Sequence, residues 1–481
     1  MLGQQSTRKG VPLQQGKASL RTGEEAAAAV LAAGGRVPKK FVKARPASAG
    51  PTREAGEALA KITPARRAAF EVLTAVEAGK GHSDELLHGP RMEDLSEADK
   101  NLATALVMGV LRWQIALDAR LRSLLERPGQ RLAEPVAMAL RIGAFQLLHM
   151  DRIPAHAALS ESVEMCRGAG HPHATGMVNA ILRKLAAAKK PGERVFETTA
   201  AFAERLGHPL WLVERWVSEY GREAALAICA ADQQEPEGGR LFGTAEDGAV
   251  LSQIGLPQID DGSRLVAEIA AAAMPVVEGR AARVWDCCAA PGGKTLMLAA
   301  RAQGAEILAT DVSVKRLAQM QSRLKRYKYA ASVKTAVADA AKSGGVAGGT
   351  VAGEFDLILC DVPCSGTGTL GRNPEIRLRL QAQELKRQAE RQREILGAAL
   401  KKLAPGGRLV YSTCSLEPEE NERVVDAVAG GWKRVPMEGL IERVAGMGSA
   451  EGLVRDGALR TLPGVHPCDG FYAVVLERSQ N

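Results

Sequence analysis

The feature that most constrains the fold of this chain is the alternation of short apolar runs with helical segments from about residue 280 to the end. Six runs have the length of buried strands, and they lie at residues 283–288, 306–311, 333–339, 355–361, 408–414 and 471–476. Helical segments fit between them. This order is typical of a mainly parallel sheet with helices on both faces, so the sequence predicts an α/β domain over residues 276–481.

The part of the chain that precedes this domain has helical periodicity instead. Ser96 and Asp99 resemble a capping box, and apolar residues recur at helical spacing after them. A second helix is predicted over residues 135–150, ending before the run RIPAH at 152–156. We therefore expect an all-α domain of five to seven helices over residues 62–190, and a connector over residues 191–275.

Residues 1–60 are rich in alanine, glycine and basic side chains and have little periodicity. We expect a mostly disordered basic tail. Two interpretations stay open, an unselected solvated extension and a loose RNA-binding arm.

The composition favours a soluble globular protein. The 481 residues are 46% hydrophobic and 25% charged, which is enough apolar material for sizeable cores. The net charge of +8 suits a polyanionic partner, although a solvated basic surface gives the same balance. No apolar run reaches about 20 residues, and the first 20 residues lack the apolar stretch of a signal peptide. The sequence thus predicts a cytoplasmic protein with no membrane partner.

The eight cysteines do not form a disulfide framework or a metal-binding pattern. No Cys-x-x-Cys pair occurs, and ligand pairs at zinc-finger spacing are missing. We expect reduced thiols and no bound metal.

A glycine-rich turn follows the first predicted strand, where residues 288–295 read CAAPGGKT. Glycines and small residues let a backbone turn approach a ligand closely at the start of the next helix. The last three letters fit a P-loop, but that motif needs a glycine where Cys288 stands, so an NTPase is rejected.

Two acidic residues end the next two predicted strands. Asp311 lies 19 residues after Gly292, a spacing at which a carboxylate can bind ribose hydroxyls, and Asp339 is placed to touch an adenine edge. The combination predicts an adenosine-containing cofactor. A dinucleotide and S-adenosylmethionine both remain possible at this point.

Two cysteines follow the fourth and fifth predicted strands. Cys364 lies three residues after Asp361, and Cys414 ends the run at 408–414. Because parallel strands end at the same edge of a sheet, both thiols could face one pocket, with one of them a nucleophile. The simpler interpretation is two ordinary buried cysteines.

Several motifs together carry a family resemblance. The runs FDLILCDVPCSG at 355–366 and YSTCS at 411–415, followed by PEENE at 418–422, resemble the signatures of the Sun/Fmu family of RNA cytosine carbon-5 methyltransferases. The turn at 288–295 matches its cofactor loop, and residues 258–266, 371–377 and 469–472 are similar too. In the helical part, LRW at 111–113, RIPAHAA at 152–158 and VNAILR at 178–183 resemble the NusB-like RNA-binding domain of the bacterial ribosomal-RNA members. One departure is the connector, because residues 232–242 read DQQEPEGGRLF where the family usually has an Asn-x-x-Pro-like run ending in Arg-Val-Asn.

The resemblance implies a Rossmann-like, S-adenosylmethionine-dependent methyltransferase domain preceded by an all-α NusB-like domain. It implies that the substrate is cytosine in 16S ribosomal RNA, that Cys414 attacks carbon 6 of the base, and that Cys364 assists release. Asp361 would hold the ring nitrogen and the exocyclic amine. The cofactor site would comprise Cys288, Ala289, Ala290, Pro291, Gly292, Gly293, Lys294, Asp311, Asp339 and Asp361.

Further expectations concern the RNA, the oligomeric state and the alternative functions. The basic stretch at 323–329 and Arg372, Arg377 and Arg379 are candidates for phosphate contacts. Tyr327 and Tyr329 could either stack on bases or pack internally. We expect a monomer. The alternatives to 16S methylation are a non-catalytic RNA-binding assembly factor and the same chemistry on transfer RNA.

Overall fold

The computed structural model describes residues 57, 58, 60–188, 197–236, 241, 242, 255–342, 351–444, 447 and 451–478. The prediction of a basic tail therefore falls almost entirely outside the described residues. The described part belongs to one compact unit.

Helices occupy the described chain up to residue 188, as the periodicity predicts. Their bounds are α1 Pro64–Glu77, α2 Ser83–Leu87, α3 Pro90–Glu93, α4 Glu97–Arg122, α5 Glu134–His149, α6 Ala155–Gly168 and α7 Thr175–Ala187. The predicted cap at the start of α4 is present, because the Ser96 hydroxyl accepts the N–H of Asp99 at 3.2 Å. Fully buried Val72, Leu106 and Leu140 lie in the common core of this helical domain.

Helix α4 bears on the expectation that the protein has no membrane partner. Among the described residues it is the one helix whose length and composition would suit a membrane span. Its apolar face includes Leu106, Val110 and Leu117, which are buried in the core shared with the neighbouring helices. A core helix of a soluble bundle passes the same test of length and composition, so the finding does not indicate a membrane protein.

Within the described residues, four more helices connect the helical domain to the sheet. They are α8 Thr199–Arg205, α9 Leu210–Tyr220, α10 Arg222–Ala231 and α11 Asp261–Ala272. Phe202 and Trp216 form a small core of their own, which Leu370 and Leu416 join from loops of the sheet. The connector is therefore packed against the edge of the sheet where those loops lie.

In the described residues the sheet contains the six predicted strands and three shorter ones that the sequence does not predict. The bounds of the strands are β1 Arg283–Asp286, β2 Glu306–Asp311, β3 Lys334–Val337, β4 Phe355–Asp361, β5 Leu403–Thr413, β6 Lys433–Arg434, β7 Val454–Arg455, β8 Ala458–Arg460 and β9 Tyr472–Glu477. Their order in the sheet is β3-β2-β1-β4-β5-β9-β8-β7, and β6 pairs with β9. The first five strands are parallel, and β9 runs antiparallel to β5.

Helices cover both faces of this sheet. Their bounds are α12 Gly293–Arg301, α13 Val314–Leu324, α14 Ile376–Arg379, α15 Ala382–Leu400, α16 Glu422–Ala429 and α17 Met437–Ile441. Alternate residues of β4 enter separate cores, because Leu357 and Leu359 belong to one and Ile358 and Cys360 to the other. This confirms the α/β fold with two covered faces.

Strand β1 is shorter than the sequence suggests. It ends at Asp286, so Cys287 and Cys288 lie in the following turn and not in a strand. The chain bends away there because the N–H of Ala289 bonds to the carbonyl of Thr310 on β2 at 2.8 Å. The end of β1 therefore places the carboxylate of Asp286, rather than a thiol, at the edge of the sheet.

Candidate active site

A cavity of about 150 Å³ lies at the carboxyl edge of the parallel strands. Its lining comes from the ends of β1 and β4, from the glycine turn, and from the segment that enters α11. The lining residues are Ile259, Asp260, Ser263, Asp286, Cys288, Ala289, Ala290, Pro291, Gly293, Lys294, Arg323 and Asp361. Most of the predicted turn thus lines a single cavity, at the position where open α/β sheets bind ligands.

The glycines of the turn pack closely against neighbouring side chains. Gly292 has φ of +92°, and a Cβ built there would lie 2.7 Å from Cγ of Met320. A Cβ on Gly293 would lie 2.8 Å from Cγ2 of Ile259. The turn therefore requires glycine at both positions, and Gly293 lines the cavity at the start of α12.

Asp286 is a cavity residue that the sequence reasoning missed. Its carboxylate accepts a hydrogen bond from the Thr295 hydroxyl at 2.6 Å. Burial raises the pKa of Asp286 to about 7, against the opposing effect of that bond. Its position as the last residue of β1 was the available signal, but the predicted strand ran two residues too far.

We expect the raised pKa of Asp286 to make stability depend on pH. The folded chain holds a proton that the unfolded chain releases between about pH 4 and about pH 7, so stability falls as pH rises through that range. Asp286→Asn removes this pH dependence. The free energy of unfolding of the variant, relative to that of the natural chain, should increase by up to about 4 kcal/mol from pH 4 to pH 7.5. Urea unfolding without cofactor measures this difference, and a difference that is the same at both pH values would contradict the assignment.

Asp311 and Asp339 end β2 and β3 nearly as predicted, but the structure does not bring them into the cavity lining. Asp311 is buried and accepts the N–H groups of Ala290 at 3.3 Å and Ser313 at 2.8 Å. Asp339 accepts the N–H of Ala341 at 3.2 Å and pairs with Lys342. Asp311 thus stabilises the backbone of the glycine turn through Ala290. The cofactor contacts of both acids remain predictions.

Lys294 and Asp361 form an ion pair inside the cavity, with Nζ and Oδ2 2.8 Å apart. The other carboxylate oxygen accepts the Ser412 hydroxyl at 2.8 Å. Burial disfavours the charge of Lys294, but the attraction and hydrogen bond from Asp361 outweigh it and raise the pKa of the ammonium. The pair therefore fixes a carboxylate between the glycine turn and the end of β5.

The two cysteines after β4 and β5 are in contact, because the Sγ atoms of Cys364 and Cys414 lie 3.3 Å apart. Both side chains are half-buried rather than sealed in a core. The contact with Cys414, together with burial, raises the pKa of the Cys364 thiol well above its usual value. The Cys364 thiol therefore tends to keep its proton beside the Cys414 sulfur.

Glu420 connects the two cysteine loops. It belongs to the motif at 418–422, but the sequence predicts no role for it. Its fully buried carboxylate accepts the N–H of Ser365 at 2.9 Å and the hydroxyl of Ser415 at 2.5 Å. It also accepts an amide N–H of Gln392 at 3.0 Å. Since Ser365 follows Cys364 and Ser415 follows Cys414, one carboxylate fixes the spacing of the two sulfurs.

We expect Glu420→Gln to disturb this spacing. The amide nitrogen would face N–H and O–H donors, which leaves at least one buried group unsatisfied at about 1–3 kcal/mol. Turnover should fall about 10- to 100-fold, because small displacements of reacting groups are costly. The control is Glu419→Gln, whose carboxylate pairs with Arg215 and Arg423 nearer the surface. Equal turnover rates for the two variants would show that Glu420 does not position the thiols.

Several predicted RNA contacts are instead internal. Arg377 is 2% exposed and donates to backbone carbonyls, and Arg372 pairs with Asp469 at 2.6 Å. Tyr327 and Tyr329 pack against the core of the sheet, and the Tyr329 hydroxyl donates to the carbonyl of Gly255. They lie beyond the end of α13, with Tyr329 in a short 3₁₀ helix at Lys328–Ala330, and these contacts favour the packing interpretation.

Comparison with known proteins agrees with this architecture. The family model described as 16S rRNA methyltransferase RsmB/F matches residues 275–477, and the NusB family model matches residues 63–187. Ribosomal RNA small subunit methyltransferase B of Xanthomonas campestris is 32% identical over 463 residues, covering 88% of this chain and all of that protein. The protein of the same name from Klebsiella pneumoniae is 31% identical, covering 84% and 95%. The crystal structure of PH0851 aligns with a TM-score of 0.63 at 23% identity over 87% of this chain and 99% of that one, which supports the fold.

The sheet, the glycine turn and the cavity define a Rossmann-like methyltransferase joined to a NusB-like helical domain. The chain belongs to the RsmB/F family of 16S rRNA methyltransferases, and it is an S-adenosylmethionine-dependent RNA methyltransferase.

Proposed function

We propose that this protein methylates carbon 5 of a cytosine in 16S ribosomal RNA through a transient bond between Cys414 and carbon 6 of the base. The observation that carries the proposal is the 3.3 Å contact between Cys364 and Cys414 beside the Lys294–Asp361 ion pair. Transfer to a nitrogen or a ribose oxygen requires no sulfur nucleophile. Two half-buried thiols at adjacent strand ends are what transfer to an unreactive ring carbon needs.

The residues of the cavity fit S-adenosylmethionine. Gly293 brings backbone to the cavity at the start of α12, and Asp286 and Asp260 supply carboxylates for ammonium or hydroxyl groups. When bound, S-adenosylmethionine supplies an activated methyl group on a sulfonium. Cys288, Ala289, Ala290 and Pro291 are proposed to hold it, with Asp311 and Asp339 at the adjoining strand ends.

Cys414 performs the activating step. Carbon 5 of cytosine is a poor nucleophile, and addition of a thiolate to carbon 6 converts the ring into an enamine-like species that is reactive at carbon 5. Asp361 holds the ring nitrogen and exocyclic amine, and a proton shared there offsets the charge that builds on the ring. Lys294 keeps this carboxylate in place and favours negative charge nearby.

Cys364 performs the release step. Once the Cys414 sulfur is bonded to carbon, it no longer holds the thiol proton of Cys364 in a strong hydrogen bond, which is the largest cause of the raised pKa of Cys364. The Cys364 proton can then pass to solvent, and the resulting thiolate accepts the proton from carbon 5 as the carbon–sulfur bond breaks and its electron pair returns to Cys414. The order of events follows from the contact, because bonding of Cys414 to the base changes the surroundings of Cys364.

The RNA has to present a base that is single-stranded or flipped out, since carbon 6 is shielded in a stacked helix. We propose that the enzyme is a cytoplasmic monomer and that the NusB-like domain helps to bind ribosomal RNA. The net charge of +8 implies binding that weakens steeply with salt.

The test is methylation of protein-free 16S RNA with a tritiated methyl donor, followed by digestion to nucleosides. We expect the label in 5-methylcytidine, with transfer RNA unlabelled in a parallel reaction. Label in another nucleoside would contradict the chemistry, and label in transfer RNA would change the substrate. RNA binding without label would favour a non-catalytic assembly factor.

A further inference from the structure

Two sequence segments that the proposed chemistry does not use meet in the structure. One is the run at 111–113 in helix α4 of the helical domain. The other is residues 371–379, here called the docking segment, which follows the Cys364 loop at residues 364–370. Their contacts connect the helical domain to the catalytic thiols.

Arg112 makes the first connection, and it is reciprocal. Its Nε and Nη2 atoms donate to the carbonyl of Gly371 at 3.1 and 2.9 Å. Its own carbonyl accepts Nη1 of Arg377 at 3.3 Å. The side chain and the backbone of Arg112 therefore both bind the docking segment.

Glu375 makes the second connection. Its carboxylate is 2% exposed and accepts the N–H and the hydroxyl of Ser83, the first residue of α2, each at 2.9 Å. Leu378 packs against the core of the helical domain. Because a buried carboxylate is costly without donors, Glu375 depends on α2 for its position.

The Cys364 loop is closely packed, so the contacts of the docking segment affect the positions of the two sulfurs. The N–H of Gly368 donates to the carbonyl of Cys414 at 2.9 Å. A Cβ on Gly368 would lie 2.1 Å from the carbonyl oxygen of Gly470, so the loop packs directly against the neighbouring backbone. Residues 365–371 are all buried. A shift of Gly371 would therefore move the loop between the two cysteines.

We infer that Arg112 and Glu375 are positioning residues for methyl transfer. Through the docking segment, the helical domain holds the Cys364 loop in its reactive arrangement, so the domain acts in the chemical step as well as in RNA capture. The inference rests on the proposed roles of Cys364 and Cys414.

The experiment compares Arg112→Met and Ser83→Ala with Glu85→Gln as the matched control. Glu85 also lies on α2 and pairs with Lys315 of the catalytic domain, but it does not touch the docking segment. Single-turnover rate at saturating RNA, KM for 16S RNA and melting temperature are measured for each. We expect Arg112→Met to slow the chemical step about 10- to 100-fold and Ser83→Ala several-fold, with KM within about twofold of the natural enzyme. Arg112→Lys should recover part of the rate.

Three outcomes would overturn the inference. One is a raised KM with an unchanged rate, which would limit the helical domain to RNA capture. Another is an equal loss of single-turnover rate in Glu85→Gln. The third is a loss of rate in the variants that the fraction of unfolded protein fully explains. If Arg112→Met does not fold, Ser83→Ala decides by the same criteria. The comparison of rates stands whichever nucleoside is methylated, so a failure here is distinguishable from a failure of the proposed chemistry.

Discussion

Cys414→Ala is expected to abolish methyl transfer while RNA binding persists. Without a sulfur at this position carbon 6 has no nucleophile, and carbon 5 stays too unreactive to accept a methyl group. The loss should be on the order of a thousandfold or more, as when other enzymes lose a covalent nucleophile. Incorporation of tritiated methyl into 16S RNA measures the rate, and a filter-binding assay measures RNA affinity.

The control for this prediction is Cys468→Ala, which removes a half-buried thiol that lies outside the two cysteine loops. It should methylate at nearly the natural rate. Normal turnover by Cys414→Ala would show that another group attacks the base.

Cys364→Ala is expected to trap the enzyme on its substrate. Cys414 can still attack, since the alanine removes only the group that accepts the carbon-5 proton, so the methylated base stays bonded to the protein. Turnover should fall about 100- to 10,000-fold, the range for loss of a general base. A denaturing gel should show a protein–RNA species that withstands heating with detergent.

The double variant Cys364→Ala/Cys414→Ala supplies the control, because it lacks the attacking sulfur and should give no such species. A persistent adduct in the double variant would show that another group attacks the base. Loss of turnover in Cys364→Ala without an adduct would contradict the role of Cys364 in release.

The sequence predicts the fold well where burial dictates residue choice. Strand β4 is buried on both faces, so it reads as one apolar run, and its bounds at Phe355–Asp361 are as predicted. The thiols follow from the same logic, because the ends of adjacent parallel strands share an edge. The contact between Cys364 and Cys414 could thus be expected before the structure, although their 3.3 Å separation could not.

Side chains whose partners are distant in sequence were harder to predict. Glu420 looks like part of a solvated acidic run, and only the fold shows that it receives donors from both cysteine loops. Arg377 looks like a phosphate contact, whereas it is enclosed by carbonyls such as those of Arg112 and Leu370. Charge alone does not reveal burial, since the compensating groups come from other elements.

The antiparallel edge of the sheet was also missed in part. Strands β6, β7 and β8 have two or three residues each, too few to give a pattern of alternation. They pair with the long β9 or with each other, so tertiary contacts define them.

The connector shows how a departure in sequence is accommodated. Asp232, where the family pattern differs, is buried with Oδ2 3.1 Å from Nε2 of His208, and Gln233 donates to the carbonyl of Arg112 at 3.0 Å. These residues support the junction that holds the docking segment. In this chain this part of the connector therefore contributes to interdomain packing.

The most direct test of the account is to trap the covalent bond in the natural enzyme and locate it. RNA that carries 5-fluorocytidine lets sulfur add and methyl transfer proceed, but fluorine at carbon 5 cannot leave as a proton, so the adduct persists. Digestion and mass spectrometry of the trapped complex should place the modified nucleotide, with its added methyl group, on the peptide that contains Cys414. A nucleotide attached at Cys364, or methylation of ordinary 16S RNA at carbon 5 with no trapped complex, would contradict the central claim.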